Sequence, residues 1–246
     1  MHRVNSLTSK MEIVGFLAAE NGFTRYLELC TPTTGSSYWM LDRRILTTAH
    51  RLMYNGPAVF DDGFPIDFCT EGFDISQCLA QIKSKGLYYD IILVDPWHEY
   101  STSIRDLRAA FGLIKDSGMI VVHDCTPPNA KIAAPEFTPG AWCGVTYKAY
   151  LDFVGGRHDL DYRTVDVDYG CGIVRKRKRS WWRRFIAENS RGHAERRQYR
   201  LLWKQWHEIG NDFERTYYFF EKHKKELLNL ISVDEFFAAL LKAQAP

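Results

Sequence analysis

Two continuous apolar runs, YDIILVD (89–95) and GMIVVHDC (118–125), bracket a segment whose apolar residues recur at helical spacing. Runs that are apolar without alternation suit strands buried on both faces of a parallel sheet. Between them, SIRDLRAAFGLIK (103–115) places Ile104, Leu107, Phe111, Leu113 and Ile114 along a helix. The order strand, helix, strand is a βαβ unit, and Asp116-Ser117-Gly118 turns the chain from the helix into the second strand.

The remaining pattern extends that unit into an open α/β sheet. RYLELC (25–30) reads as the first strand, with weaker strands at His50–Tyr54 and Ile66–Cys69 and a helix starting near Gly35. Val145–Phe153 reads as a further helix. YRTVDV (162–167) and CGIVRK (171–176) are separated by Asp168-Tyr169-Gly170 alone, which demands an antiparallel hairpin. The expected fold is α/β, a doubly wound, mostly parallel sheet closed by that hairpin, with a C-terminal helical extension. The expected division is a sheet domain over 1–176 and a basic linker with helices over 177–246. Two amphipathic stretches, Tyr199–Phe220 and Glu221–Leu241, carry Trp203, Trp206, Phe213, Tyr217 and Phe220 on a helical repeat. They are expected to pack on the sheet domain or on a second copy of it.

Composition narrows the function classes. With 46% hydrophobic and 25% charged residues, the chain of 246 residues reads as globular, and its net charge of +2 does not require a polyanionic partner. Neither a membrane-spanning run nor a signal-peptide layout is evident. Six scattered cysteines without a CxxC pair suit reduced thiols and a cytoplasmic setting. The basic run RKRKRSWWRR (175–184) has three readings: a solvated linker, contact with an anionic membrane surface through Trp181 and Trp182, or contact with nucleic-acid phosphates. The first is favoured and nucleic acid is the least favoured.

In open α/β sheets ligands lie outside the carboxyl ends of the strands. The first strand ends in Glu28-Leu29-Cys30 and runs into Thr31-Pro32-Thr33-Thr34-Gly35-Ser36-Ser37, either an ordinary capped turn or a loop whose backbone a ligand approaches. The next two strong strands end in Asp95-Pro96-Trp97-His98 and His123-Asp124-Cys125. Asp95 could simply cap the following turn, with His98 a satisfied histidine. Taken together, the clusters favour chemistry: Asp95 and Asp124 as oxygen ligands for a hard divalent cation such as Mg²⁺, and His98 as general base. His123 is a further metal ligand or a partner for the backbone beside Asp124.

The run from Tyr89 to Cys125 resembles class I S-adenosylmethionine-dependent methyltransferases, in particular the small-molecule O-methyltransferase branch. The matching elements are Asp95-x-x-His98, Arg105-Asp106-Leu107, Ser117-Gly118 and His123-Asp124, with Glu28 and Gly35 in the loop after the first strand. The resemblance covers roughly residues 24–176 and implies a Rossmann-like methyltransferase fold. It implies cofactor contacts from Glu28, Cys30, Thr31, Gly35, Ser36, Asn55, Phe73 and Asp95, a metal at Asp95, Asp124 and His123, and His98 as the catalytic base. Asn55 would stand where the family has the acid that grips the ribose, and Phe73 would wall the adenine. Cys30 and Pro32 stand where the family has glycines. That departure keeps open a non-catalytic module of the same fold, and the basic run keeps open an RNA-binding or RNA-modifying protein.

The proline-rich segment 126–144 reads as a lid or recognition loop beside this edge. Its Phe137 and Trp142 either stack on an acceptor or anchor the loop. The expected partners are a small-molecule or glycan acceptor and a second copy of the chain through the C-terminal helices. Peripheral membrane contact would run through 175–184.

Overall fold

A computed structural model describes residues 7–33, 36–56, 63–177 and 193–244. Helix α1 (Lys10–Asn21) precedes strand β1 (Arg25–Cys30), and β2 (Thr48–Tyr54), β3 (Phe68–Thr70) and α2 (Ser76–Ser84) follow. Strand β4 (Tyr89–Asp95), α3 (Tyr100–Leu113) and β5 (Ile114–Val122) form the βαβ unit. After it come α4 (Thr146–Val154), β6 (Leu160–Val165) and β7 (Cys171–Lys176). Helices α5 (His193–Ile209) and α6 (Phe213–Leu227), the short β8 (Leu230–Ile231) and α7 (Val233–Gln244) end the chain.

The strands form one sheet in the order β3-β2-β1-β4-β5-β7-β6-β8. Strands β1 to β5 pair in parallel, and β7 enters antiparallel between β5 and β6. The two-residue period of a strand explains why β4 is apolar from Ile91 to Val94. Tyr89, Ile92 and Val94 enter the core beneath α2, α3 and α4. Ile91 and Leu93 enter the opposite core, which α1 and α7 cover. Register then aligns the strand ends. Cys30 pairs with Asp95, Val94 pairs with Val122, and the His123 amide donates to the Val94 carbonyl at 3.0 Å. The residues that leave β1, β4 and β5 therefore emerge at one edge.

Several sequence expectations are corrected here. No long helix joins β1 to β2 among the described residues, only one 3₁₀ turn at Tyr38–Met40. Side-chain bonds to backbone, one local at Asp42 and one reaching β2 from Tyr38, hold that stretch instead. The Tyr38 hydroxyl donates to the Ala49 carbonyl at 2.6 Å, and the Asp42 carboxylate accepts from the Arg44 amide at 3.0 Å. The C-terminal stretch forms three helices with breaks at other places. Asp212 caps α6 by accepting from the Arg215 amide, and Leu230–Ile231 leave the helical path to pair with β6. Helix α1 precedes the first strand expected from the sequence. Its start is set by a capping box in which Ser9 and Glu12 satisfy each other's backbone amides.

The aromatic repeat of the C-terminal helices turns toward the sheet. Trp203, Trp206, Phe220 and Leu227 join the same hydrophobic cluster as Val94, Val122 and Val174. The Phe220 ring lies 4.4 Å from that of Tyr147 on α4. From residue 178 to 192, most of the basic run included, the chain lies outside the described residues. No described helix is long and apolar enough to cross a membrane.

Phe220 is fully buried. Phe220→Ala is expected to cost about 3–5 kcal/mol, read as a lowered urea midpoint. A loss under about 1 kcal/mol would mean that α6 does not share this core.

Candidate active site

Asp95 is the last residue of β4, and the loop beyond it is held from two sides. The Trp97 amide donates to the Tyr54 hydroxyl at 2.8 Å, and that hydroxyl donates to the buried Asp106 carboxylate at 2.5 Å. The Thr102 hydroxyl donates to the Trp97 carbonyl. His98 is thereby placed at a fixed depth. Its Nδ1 lies 2.5 Å from the Trp142 carbonyl, an atom that can only accept, so Nδ1 carries the proton. Nε2 then faces inward, 2.9 Å from Asp124 Oδ2 and 3.8 Å from Asp95 Oδ1. It is buried and has no aligned hydrogen bond.

The segment 126–144 returns to make that contact possible. The Val145 amide donates to the His98 carbonyl at 2.9 Å. Gly144 has φ +53°, and a Cβ there would lie 2.2 Å from the His98 carbonyl oxygen, so only glycine permits this approach. Trp142 is buried, and its indole N–H donates to the Ala134 carbonyl at 2.8 Å. Phe137 stays 47% exposed, its ring 5.2 Å from both Trp97 and Trp142. Trp142 therefore anchors the loop and walls the site at once.

Asp124 follows β5 with φ +61°, a left-handed backbone uncommon outside glycine that turns its carboxylate back toward Asp95. His123 Nδ1 sits between the two acids, 3.2 Å from Asp95 Oδ1 and 3.0 Å from Asp124 Oδ2. Its Nε2 is 3.4 Å from Asp168 Oδ1 in the β6–β7 turn. Lys10, the first residue of α1, places Nζ 2.6 Å from Asp95 Oδ2, and its amide donates to Asp168 Oδ2 at 2.8 Å. Three carboxylates thus face three cationic groups.

Burial opposes every one of these charges, and the partners overcome it. Burial pulls His98 down, but Asp124 and Asp95 raise it to about 9. His123 is raised well above its ordinary value against the same opposition, chiefly by Asp124 and Asp95. Burial raises the two acids, but Lys10 and His123 hold Asp95 far below its usual range, and His123 and His98 do the same for Asp124.

These groups line a cavity of about 180 Å³ whose wall includes Asp95, His98, His123, Asp124, Phe137 and Trp142. One donor atom each from Asp95, His98 and Asp124 falls within 4.8 Å of the others, a set that could hold a metal ion. The two carboxylates fit a divalent cation chemically, with His98 Nε2 beside them. His123, expected as a ligand, is placed otherwise: it bridges carboxylates with Nδ1 rather than joining that set.

The residues expected to meet a cofactor divide into two groups. Glu28 is buried and accepts from the Ser36 hydroxyl at 2.8 Å, the Ser37 amide at 3.2 Å and the Tyr26 hydroxyl at 3.1 Å. Cys30 and Thr31 are buried as well. Ser36 is tied to Glu28 and receives an Arg51 N–H at 3.2 Å. Gly35 lies outside the described residues. Asn55 and Phe73 remain accessible beyond β2 and β3, with the Phe73 ring 39% exposed and 6.1 Å from Trp97. The Asn55 amide and the flat face of Phe73 are of a chemistry that could meet ribose hydroxyls and an adenine.

Sequence reasoning missed Lys10, Asp168, Tyr169 and Cys143, all of which reach the site. The Ser9–Glu12 capping box marks where α1 begins, but nothing local announces a partner 85 residues away.

No family model matches the chain, and no curated protein matches it. Solved structures similar to it include the O-methyltransferase TomG of Streptomyces achromogenes in complex with SAM, at 15% identity and TM-score 0.47, over 68% of this chain and 78% of that one. A putative caffeoyl-CoA O-methyltransferase of Staphylococcus aureus is similar at 12% identity and TM-score 0.48, over 70% and 86%. The SAH-bound methyltransferase PaMTH1 of Podospora anserina is similar at 16% identity and TM-score 0.44, over 72% and 83%. No residue role is carried over from them. What decides the architecture is the strand order, with β7 reversed between β5 and β6. The chain has a Rossmann-like fold, an open α/β sheet closed by a reversed strand.

Within that fold, Asp106 behind the Trp97 loop gives a pH test. Burial raises its carboxyl from 3.8 to about 6, against the opposing pull of Arg105 and Tyr54. An acid raised on folding favours the native state below its unfolded value, and that contribution is lost as pH climbs through about 6. Between pH 4 and 7 the wild type should lose up to about 3 kcal/mol that Asp106→Asn does not lose, measured as urea midpoints. Parallel pH profiles would contradict the assignment.

Proposed function

We propose that the chain is an S-adenosylmethionine-dependent methyltransferase that methylates a hydroxyl on a small molecule or glycan. Asp95 and Asp124 would hold a divalent cation, and His98 would act as base. The observation that carries this reading is the convergence of Asp95, His98 and Asp124 on one cavity at the carboxyl ends of adjacent strands. When bound, the cation would polarise the acceptor hydroxyl, and the sulfonium cofactor would supply the methyl group.

The chain's own residues account for the rest. The Trp142 carbonyl fixes the His98 tautomer, so that Nε2 is the atom that takes the hydroxyl proton. Nε2 must be neutral for that task. Neutralising the two carboxylates with a cation removes the interaction that raises His98 to about 9. Trp142 and Phe137 line the cavity and would give an acceptor an apolar wall. Asn55 and Phe73 would receive the nucleoside of the cofactor. Alignment of the acceptor oxygen with the methyl carbon would be the main source of rate.

Calorimetry with S-adenosylmethionine in the presence of Mg²⁺ tests the reading. Micromolar binding is expected, together with release of S-adenosylhomocysteine when a panel of hydroxylated acceptors is supplied. His98→Ala should keep cofactor binding and lose about 10²–10⁴-fold in turnover. Absence of binding at millimolar cofactor would sink the proposal.

That negative result would favour a second reading, a binding module that keeps the fold without the cofactor. One observation supports it. Pro32 packs so closely on Gly56 that a Cβ there would lie 2.1 Å from the proline Cγ, closing the gap between the loops after β1 and β2.

A further inference from the structure

The rule for open α/β sheets places a ligand in the crevice where the strand order reverses. Here that crevice lies between β1 and β4, because β2 and β3 extend the sheet one way and β5 the other. A side chain of the protein already stands there. Lys10 Nζ contacts Asp95 Oδ2 at 2.6 Å, with the lysine side chain only 12% exposed.

The contact is built rather than incidental. The Lys10 amide is held by Asp168 Oδ2 at 2.8 Å, and Asp168 Oδ1 lies 3.4 Å from His123 Nε2. His123 Nδ1 closes the ring on Asp95 Oδ1 at 3.2 Å. Asp168 and Tyr169 hold this turn at φ +50° and +58°, positions that L side chains rarely adopt. Helix α1 is also braced from behind, where Phe16 meets Phe237 and Phe236 of α7 at 5.0 and 5.8 Å. The two oxygens of Asp95 are thus divided, one facing the His98–Asp124 cavity and the other facing an ammonium carried on α1.

From this geometry we infer that Lys10 is a tethered cation that competes with a divalent ion for the Asp95 and Asp124 carboxylates and sets how tightly that ion binds. Both cations draw on the charge of one buried carboxylate. With Lys10 in place Asp95 is already neutralised, and an added ion meets a positive neighbour within a few ångströms. Without Lys10 the Asp95 carboxylate loses its nearest cation and keeps its contact with His123, and the added negative charge favours a cation that can reach it. An entering ion would weaken the Lys10–Asp95 pair and release the ammonium from its crevice. The inference rests on the metal part of the proposed function, and the experiment separates the two.

Mn²⁺ serves as the probe, with calorimetry on the full chain. Lys10→Met is expected to bind Mn²⁺ roughly tenfold or more tightly than wild type, and Lys10→Arg to stay near wild type. Equal affinity in Lys10→Met and wild type, abolished in Asp124→Asn, would overturn the inference and leave the metal site standing. Weaker binding in Lys10→Met would also overturn it, making Lys10 an aid to the ion. No binding in either protein overturns both. A second readout uses wild type alone, should Lys10→Met fail to fold. Acetylation of Lys10 by an amine-selective reagent, followed by peptide mass spectrometry, should run several-fold faster with saturating Mn²⁺. The exposed Lys204 serves as internal reference. Unchanged or slower Lys10 labelling would contradict the displacement.

Discussion

Asp95 and Asp124 are buried side by side at the carboxyl ends of neighbouring strands, and the rest of that edge is arranged around their charge. An isolated carboxylate in such a place would be neutralised or hydrated. Here Lys10, His98 and His123 supply three cations, and Asp168 ties two of them together. The cost appears in the backbone, where Asp124, Asp168 and Tyr169 all hold positive φ. Buried ion clusters contribute little stability on balance, so an arrangement this dense points to chemistry rather than to folding.

The sheet makes the cluster possible by register alone. Pairing Val94 with Val122 brings the residues after β4 and β5 together, and insertion of β7 beside β5 delivers the turn that carries Asp168. Two hydrophobic cores, one on each face, hold this register. Helix α1 belongs to one of them and the Trp203–Trp206–Phe220 face of the C-terminal helices to the other. Elements distant in sequence therefore fix the site from both sides. The 126–144 segment closes it by lending a carbonyl to His98, a role that depends on a glycine at 144.

Much of this was legible because local sequence carried it. YDIILVD and GMIVVHDC could be little other than buried strands, and the helical spacing between them gave α3. Asp95, His98 and Asp124 followed from asking what leaves the strand ends. The stretch between β1 and β2 departs from the expected helix where Asp42 bonds local backbone and Tyr38 bonds the Ala49 carbonyl of β2, and those bonds have no periodic signature. The C-terminal breaks were missed because β8 exists only by pairing with β6. Glu28, expected at a cofactor, also holds its own loop through three donors that fold around it, a role with no local signature.

The sequence by itself determined the βαβ unit, the reversed final hairpin and the identity of two acids and an imidazole at strand ends. Those features rest on apolar periodicity, turn length and side-chain chemistry, all of which act over a few residues. The tertiary structure alone decided which nitrogen of His98 faces the cavity. It also decided that His123 bridges carboxylates, and that an ammonium from the first helix stands against Asp95. Each of those depends on charges and carbonyls brought together from distant parts of the chain, and electrostatic partnership across such separations leaves no pattern in the order of the residues.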